Sequence, residues 1–342
     1  MDLITLFETN KNIIKENNPV NNLQDFRNIK VFVHTYSKTG TTTLSRSFQY
    51  CIDKTTYYKN VSHSHTIGSC WYKYLPFLQN TNYFLKDILN IQNTIPLIIQ
   101  SYRNPIDRII SQYYDIFRKN NNNLFINFCL RYFFDNYCFL SYIAELNINY
   151  DNKIFNYEKG YGFENKEDYY ILHTRLDKIN NLPDNIKLIP ELKEFHNLSI
   201  IKDNVNKSNE YMEFKKNIKI PKELIDLILF KEKSVMEFYF SNDEITNIKL
   251  KLKEISIIDY DWNKTFPNLP NDFNYTTYLE NNNVIIENLP LYNKLLLLNN
   301  FNNDNINHKY NNDNINNDNI TNNLLNNYLK LNAIYSYSKS SK

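Results

Sequence analysis

The chain has 342 residues, 42% of them hydrophobic and 15% aromatic. That is enough apolar material for a sizeable core, so one large domain with extensions is expected. The formal net charge of +2 comes without a sustained basic run, which excludes a general nucleic-acid binder.

The N-terminus reads MDLITLFETNKNIIKENN. It lacks the basic start, apolar core and small-residue cleavage site of a secretory signal. Residues 1–28 are expected to form a helical arm carrying Leu3, Leu6, Phe7, Ile13 and Ile14, then a polar linker around Pro19. The most apolar long segment, 124–146, is interrupted by Arg131 and Asp135, so it reads as a buried helix and not a membrane span. Cys51, Cys70, Cys129 and Cys138 form no CxxC pair and no metal-ligand spacing. Reduced thiols and a cytoplasmic location are the expectation.

Val31 to Leu44 reads VFVHTYSKTGTTTL. A β-branched run leads into a turn with one glycine, Gly40. Hydroxyls then crowd the predicted start of a helix over 41–52: Thr41, Thr42, Thr43, Ser45 and Ser47. A strand, a tight loop and a helix N-terminus together hold anions well, because the first helical N–H groups lack intrahelical partners and the helix dipole is positive there. Lys38 adds a full charge. The stretch reads as a phosphate-binding turn. It is not the nucleotide-triphosphate loop GxxxxGK[ST], because Lys38 precedes the glycine.

A second strand is predicted near 60–64, parallel to the first after a right-handed crossover. His63 and His65 lie near its end at i and i+2 and share one face. Histidine titrates near neutral pH and can serve as a general base. The pair can equally be strand-end polar residues. No further metal ligands accompany them. Residues 69–92 hold amphipathic helical material, in which Trp71 and Tyr72 suit core packing or stacking on a sugar.

Pro96 to Ser101 reads as a buried strand. It ends in Tyr102-Arg103-Asn104-Pro105, followed by a predicted helix over 105–119. Asn104 is a good N-cap and Pro105 suits the first helical turn. Arg103 leaves the strand end with a planar fork matched to phosphate oxygens. Ser111 follows two helical turns later.

Lys38-Thr39-Gly40-Thr41-Thr42 resembles the 5′-phosphosulfate loop of the P-loop sulfotransferase superfamily, usually P-K-[ST]-G-[ST]-[ST], with Ser37 in the place of proline. Arg103-Asn104-Pro105 with Ser111 resembles the family's R-[ND]-P run and its serine eight residues on, which bind the 3′-phosphate of 3′-phosphoadenosine 5′-phosphosulfate. Val61 to Ile67 resembles the V-x-H-x-H-x-[LI] run of glycan sulfotransferase-like sequences. The resemblance implies that Lys38, Thr39, Gly40, Thr41, Thr42 and Thr43 hold the phosphosulfate. It further implies that Arg103 and Ser111 hold the 3′-phosphate, with His65 or His63 as the base. It implies no metal, and an acceptor hydroxyl on a glycan or glycoconjugate, near the capsular-polysaccharide group. The family's glycine-rich R-K-G segment has no counterpart here.

Further along, residues 168–177 read as a core strand, with Arg175 and Asp177 loosely matching a family arginine and acid and His173 as a structural residue. Residues 198–202 read as another strand, and Lys207 follows in a turn that resembles the family's N-V-x-x-S. Pro221 opens a helix. Ser241 and Glu244 form a capping box before another. The motif Asn-Asn-Asp-Asn-Ile occurs at 302–306, 311–315 and 316–320. An Asn-rich, partly disordered tail with short helices over 291–298 and 324–331 is expected.

The fold expectation is α/β: a three-layer P-loop-type domain over 29–258, with a central, mainly parallel sheet flanked by helices. A helical arm precedes it at 1–28 and a low-complexity extension follows at 259–342. The functional expectation is sulfuryl transfer, with no nucleic acid and no membrane span involved. A non-catalytic glycan- or nucleotide-binding protein on the same fold is the alternative. An atypical P-loop kinase is less favoured, because the lysine order is wrong and no acidic magnesium ligand is evident.

Overall fold

The computed structural model describes residues 29–35, 38–54, 60–64, 95–135, 154–166, 168–202, 208–270, 272–281 and 315–340. The N-terminal arm, His65, Trp71, Tyr72, Lys207 and the 291–298 segment lie outside them. The protein is mixed α/β. It divides into two units, one of residues 1–112, 137–207 and 234–245, the other of residues 113–136, 208–233 and 246–342.

The first unit is built on a five-stranded sheet. Its strands are β1 (Val31–His34), β2 (Val61–Ser64), β3 (Leu97–Tyr102), β4 (Tyr161–Asn165) and β5 (Tyr170–Arg175), in the spatial order β2-β1-β3-β5-β4. The first four in that order run parallel and β4 pairs antiparallel at the edge. β1 and β3 are buried along their whole length, which explains their near-continuous apolar runs.

Alternation sorts the sheet into two faces. Val31, Val33, Leu97, Ile99 and Leu172 share a core cluster with Leu44 and Phe48. These last two come from helix α1 (Thr41–Asp53). The buried Gln49 accepts from the N–H groups of Asn60 and Val61 at 2.9 and 3.2 Å, fixing α1 to the start of β2. The opposite face carries His34, Gln100 and His173, all fully buried.

Helix α2 (Pro105–Phe117) follows β3, with the Asn104 side chain accepting from Ile106 N–H at 3.0 Å as the expected cap. Residues 198–202 form no strand. The N–H of Ile201 goes to the Ser47 hydroxyl at 2.9 Å, so α1 satisfies it and no neighbouring strand does. Leu198 joins the core cluster and Ile200 packs against it.

The second unit contains helices α3 (Asn122–Asp135), α5 (Asn209–Asn217), α6 (Lys222–Lys231), α9 (Tyr275–Asn281) and α10 (Ile315–Ser340). The first unit also holds α4 (Leu182–Ile186) and α7 (Lys233–Tyr239, of which Lys233 falls in the second unit). Helix α8 (Asn242–Ile255) begins at the capping box, where Ser241 N–H meets Glu244 Oε2 at 2.9 Å and Glu244 N–H meets Ser241 Oγ at 3.3 Å. The C-terminal helix α10 has 26 residues and buries Tyr328, Leu331, Ala333, Ile334 and Tyr335. It packs on α3, α6 and α9. Among the described residues no helix is long and apolar enough to cross a membrane.

Candidate anion-binding site

Two of the described residues in the turn between β1 and α1 are left-handed, Lys38 at φ 62° and Gly40 at φ 91°. Glycine adopts that conformation freely. It is needed at 40 for a second reason: a Cβ there would stand 2.8 Å from Leu176 Cδ1, which follows β5. Lysine at positive φ is uncommon and costs about 1–2 kcal/mol. Such a conformation persists only where its surroundings impose it.

The end of β3 supplies that constraint. Arg103 Nη1 donates to the Lys38 carbonyl at 3.3 Å. Ser101 Oγ, fully buried, donates to the next carbonyl, that of Thr39, at 2.6 Å. Two alternate residues of one strand end thus hold two successive carbonyls of the turn. A trans peptide directs its N–H opposite to its carbonyl, so the N–H groups of Thr39 and Gly40 face away from β3. Among the described residues the Gly40 N–H has no hydrogen-bond partner. The first intrahelical bond runs from Leu44 N–H to the Gly40 carbonyl, 2.9 Å, so the N–H groups between them belong to the open helix end.

The hydroxyls divide into two sets. Thr39 is fully buried and its Oγ1 bonds to Thr35 Oγ1; Thr41 Oγ1 stands 3.4 Å from the same atom. These hydroxyls line the inside of the turn. Ser45 and Ser47 donate back to the carbonyls of Thr41 and Thr43 at 2.8 and 2.7 Å. Thr42 and Thr43, with Lys38 and Gly40, are half-buried at the mouth. An anion at this turn would be met mainly by backbone N–H groups and the helix dipole.

Arg103 is half-buried, and among the described residues it makes only the bond to Lys38, leaving most of its donors for a ligand. Ser111 is half-buried on the second turn of α2, and its hydroxyl has no partner among the described residues. His63 lies on β2, its backbone in register with Val33. The C-terminal ends of β2, β1 and β3 share one edge of the sheet, the edge where ligands gather in parallel α/β folds. No family model matches this chain, nor is any curated protein or solved structure significantly similar to it. The geometry of this edge is what speaks for its chemistry.

Two other polar clusters are structural. His173 is fully buried; its Nε2 bonds to Glu164 Oε1 at 2.8 Å and its Nδ1 to the Tyr239 hydroxyl at 3.0 Å. Burial pushes the imidazole below its ordinary value, so it is neutral and donates from Nε2 to the acceptor-only carboxylate. Burial alone would raise the Glu164 carboxyl, but the bonds from His173 and Lys166 outweigh it and hold it low. Arg175, 3% exposed, bonds Asp177 through Nε and Nη2 at 3.0 and 2.6 Å. Its Nη1 reaches both Glu244 oxygens, and its Cζ lies 4.2 Å from the Phe240 ring centroid. With those donors occupied, Arg175 ties β5 to the cap of α8 and is not presented to a ligand.

Ser101 is the turn-holding residue that motif reading missed. Its strand alternation was visible, since it shares the face of Leu97 and Ile99, but nothing local in sequence connects it to position 39. Among the described residues no group of three His, Cys, Asp or Glu side chains is placed to hold a metal ion.

Proposed function

We propose that the chain is a sulfotransferase that moves a sulfuryl group from 3′-phosphoadenosine 5′-phosphosulfate to a hydroxyl of a glycan or glycoconjugate, on a three-layer P-loop-type domain. The observation that carries this reading is the contact of Arg103 with the Lys38 turn. Two groups suited to phosphate stand side by side on adjacent strand ends, within the span of one doubly phosphorylated adenosine.

In this reading Lys38 and the N–H groups at the start of α1 hold the 5′-phosphosulfate, and Arg103 and Ser111 hold the 3′-phosphate. The acceptor oxygen attacks sulfur while the bond from sulfur to the bridging 5′-phosphate oxygen breaks in line. His63 of β2, or His65 two positions on in the sequence, takes the acceptor proton. Lys38 and the helix dipole meet the charge that gathers on the leaving phosphate. Positioning and electrostatics supply most of the acceleration. The described cysteines, Cys51 and Cys129, are free thiols, which suits a cytoplasmic setting.

Calorimetry with adenosine 3′,5′-bisphosphate and with ATP tests the proposal. Binding of the bisphosphate in clear preference to ATP is expected, with transfer of labelled sulfate to polysaccharide. Preference for ATP would transfer the site to a kinase. Acceptor binding with no donor turnover would make the protein a non-catalytic binder.

A further inference from the structure

We infer that Ser101 is a positioning residue that aims the Gly40 N–H at the 5′-phosphate, an inference resting on the donor site proposed above. Ser101 is on no motif, touches no open space and is fully buried. Among the described residues its hydroxyl has one bond, to the Thr39 carbonyl, and at 2.6 Å it is short. The Thr39 carbonyl and the Gly40 N–H belong to one planar trans peptide. Fixing the oxygen toward β3 fixes the N–H away from it, toward the mouth of the turn.

The companion pin is of a different kind. Arg103 holds the Lys38 carbonyl at 3.3 Å from a half-buried place, and its fork is wanted by a phosphate. Once a 3′-phosphate engages Arg103, Ser101 still holds the Thr39 carbonyl. A peptide freed to rotate about Thr39 and Gly40 would present its carbonyl to the anion for part of the time. Glycine at 40 makes that rotation easy, because it carries no Cβ to oppose it. The hydroxyl thus confers preorganisation on a turn whose sequence is otherwise permissive.

The 342-residue chain and its Ser101→Ala variant are titrated calorimetrically with adenosine 5′-monophosphate, adenosine 3′-monophosphate and adenosine 3′,5′-bisphosphate. The expected result is about tenfold weaker binding of both ligands that carry a 5′-phosphate, with the 3′-monophosphate unchanged within about twofold. Ser101→Thr, which keeps the hydroxyl, restores the lost affinity. Should the alanine variant fail to fold, Ser101→Cys keeps the volume with a weaker donor and shows the same selective loss, smaller. Equal loss for all three ligands, or none for those with a 5′-phosphate, overturns the role of Ser101 while leaving the donor site standing. Failure of the unmodified protein to bind the bisphosphate overturns the donor site itself, and the role of Ser101 with it.

Discussion

Arg103 crosses from the end of β3 and donates through Nη1 to the main-chain oxygen of Lys38, 3.3 Å away. The bond is long and only half-buried, so exchanging it for a charged phosphate oxygen is favourable. Arg103→Ala is expected to weaken adenosine 3′,5′-bisphosphate by about tenfold to a hundredfold, and adenosine 5′-monophosphate by at most about twofold. Calorimetry on both ligands reads the difference. Equal losses would remove Arg103 from the 3′-phosphate.

Lys38 separates stability from activity. Lys38→Ala and Lys38→Gly both delete the ammonium, and both are expected to lower sulfate transfer by about a hundredfold or more. They differ in backbone. Glycine accepts φ 62° without penalty, so the glycine variant should be about 1 kcal/mol more stable than the alanine variant in urea unfolding. Unchanged turnover in either would take the lysine out of the mechanism.

Gly40 is constrained twice, by its left-handed φ and by Leu176. Gly40→Ala should cost about 2–4 kcal/mol, because the new Cβ meets Leu176 Cδ1 at 2.8 Å on a backbone that disfavours any side chain. Adding Leu176→Ala relieves the steric part only. The double variant should therefore be more stable than the sum of the singles by roughly 1 kcal/mol. Strict additivity in a double-mutant cycle would mean that the two side chains do not meet.

Acid should weaken the fold through His173 and Glu164. Burial depresses the imidazole of His173, and the bond from Glu164 reverses only part of that. For Glu164, burial pushes upward, but the bonds from His173 and Lys166 win and lower it. Both groups therefore take up protons more readily in the unfolded chain, and stability rises with pH across that range. It is complete above the ordinary histidine value of 6.5 and declines below it. A second decline follows below the ordinary carboxylate value of 4.5. Denaturation midpoints should fall between about pH 8 and about pH 5, and His173→Gln should flatten that part of the curve. A midpoint that rises on acidification would contradict the neutral, buried imidazole.

Local signals made the site's frame legible. The apolar runs of β1 and β3, the Asn104 cap with Pro105, and the Ser241–Glu244 box all depend on neighbours within a few residues, and each is found where the pattern put it. β4 was not legible. No strand was expected at 161–165, where Gly160 and Gly162 flank Tyr161, yet Gly162 sits where a Cβ would press on Ile154 and Phe155 at 3.3 Å. The contacts of Ser101 with Thr39 and of Arg175 with Glu244 join residues more than sixty positions apart, and no periodicity foretells them. Residues 315–340 were legible in part. A short helix over 324–331 in an Asn-rich, partly disordered tail was the expectation; the helix is there but runs from Ile315 to Ser340, and Tyr328, Leu331 and Tyr335 recur along it at helical spacing and are buried.

That last helix has a practical consequence. Phe134 stacks on Tyr335 with ring centroids 5.3 Å apart, and Lys330 reaches Glu223 at 3.2 Å. A truncation that discards residues 315–340 as disposable low-complexity sequence would lay bare the Phe133 and Phe134 rings of α3. Aggregation is the expected fate of such a shortened polypeptide.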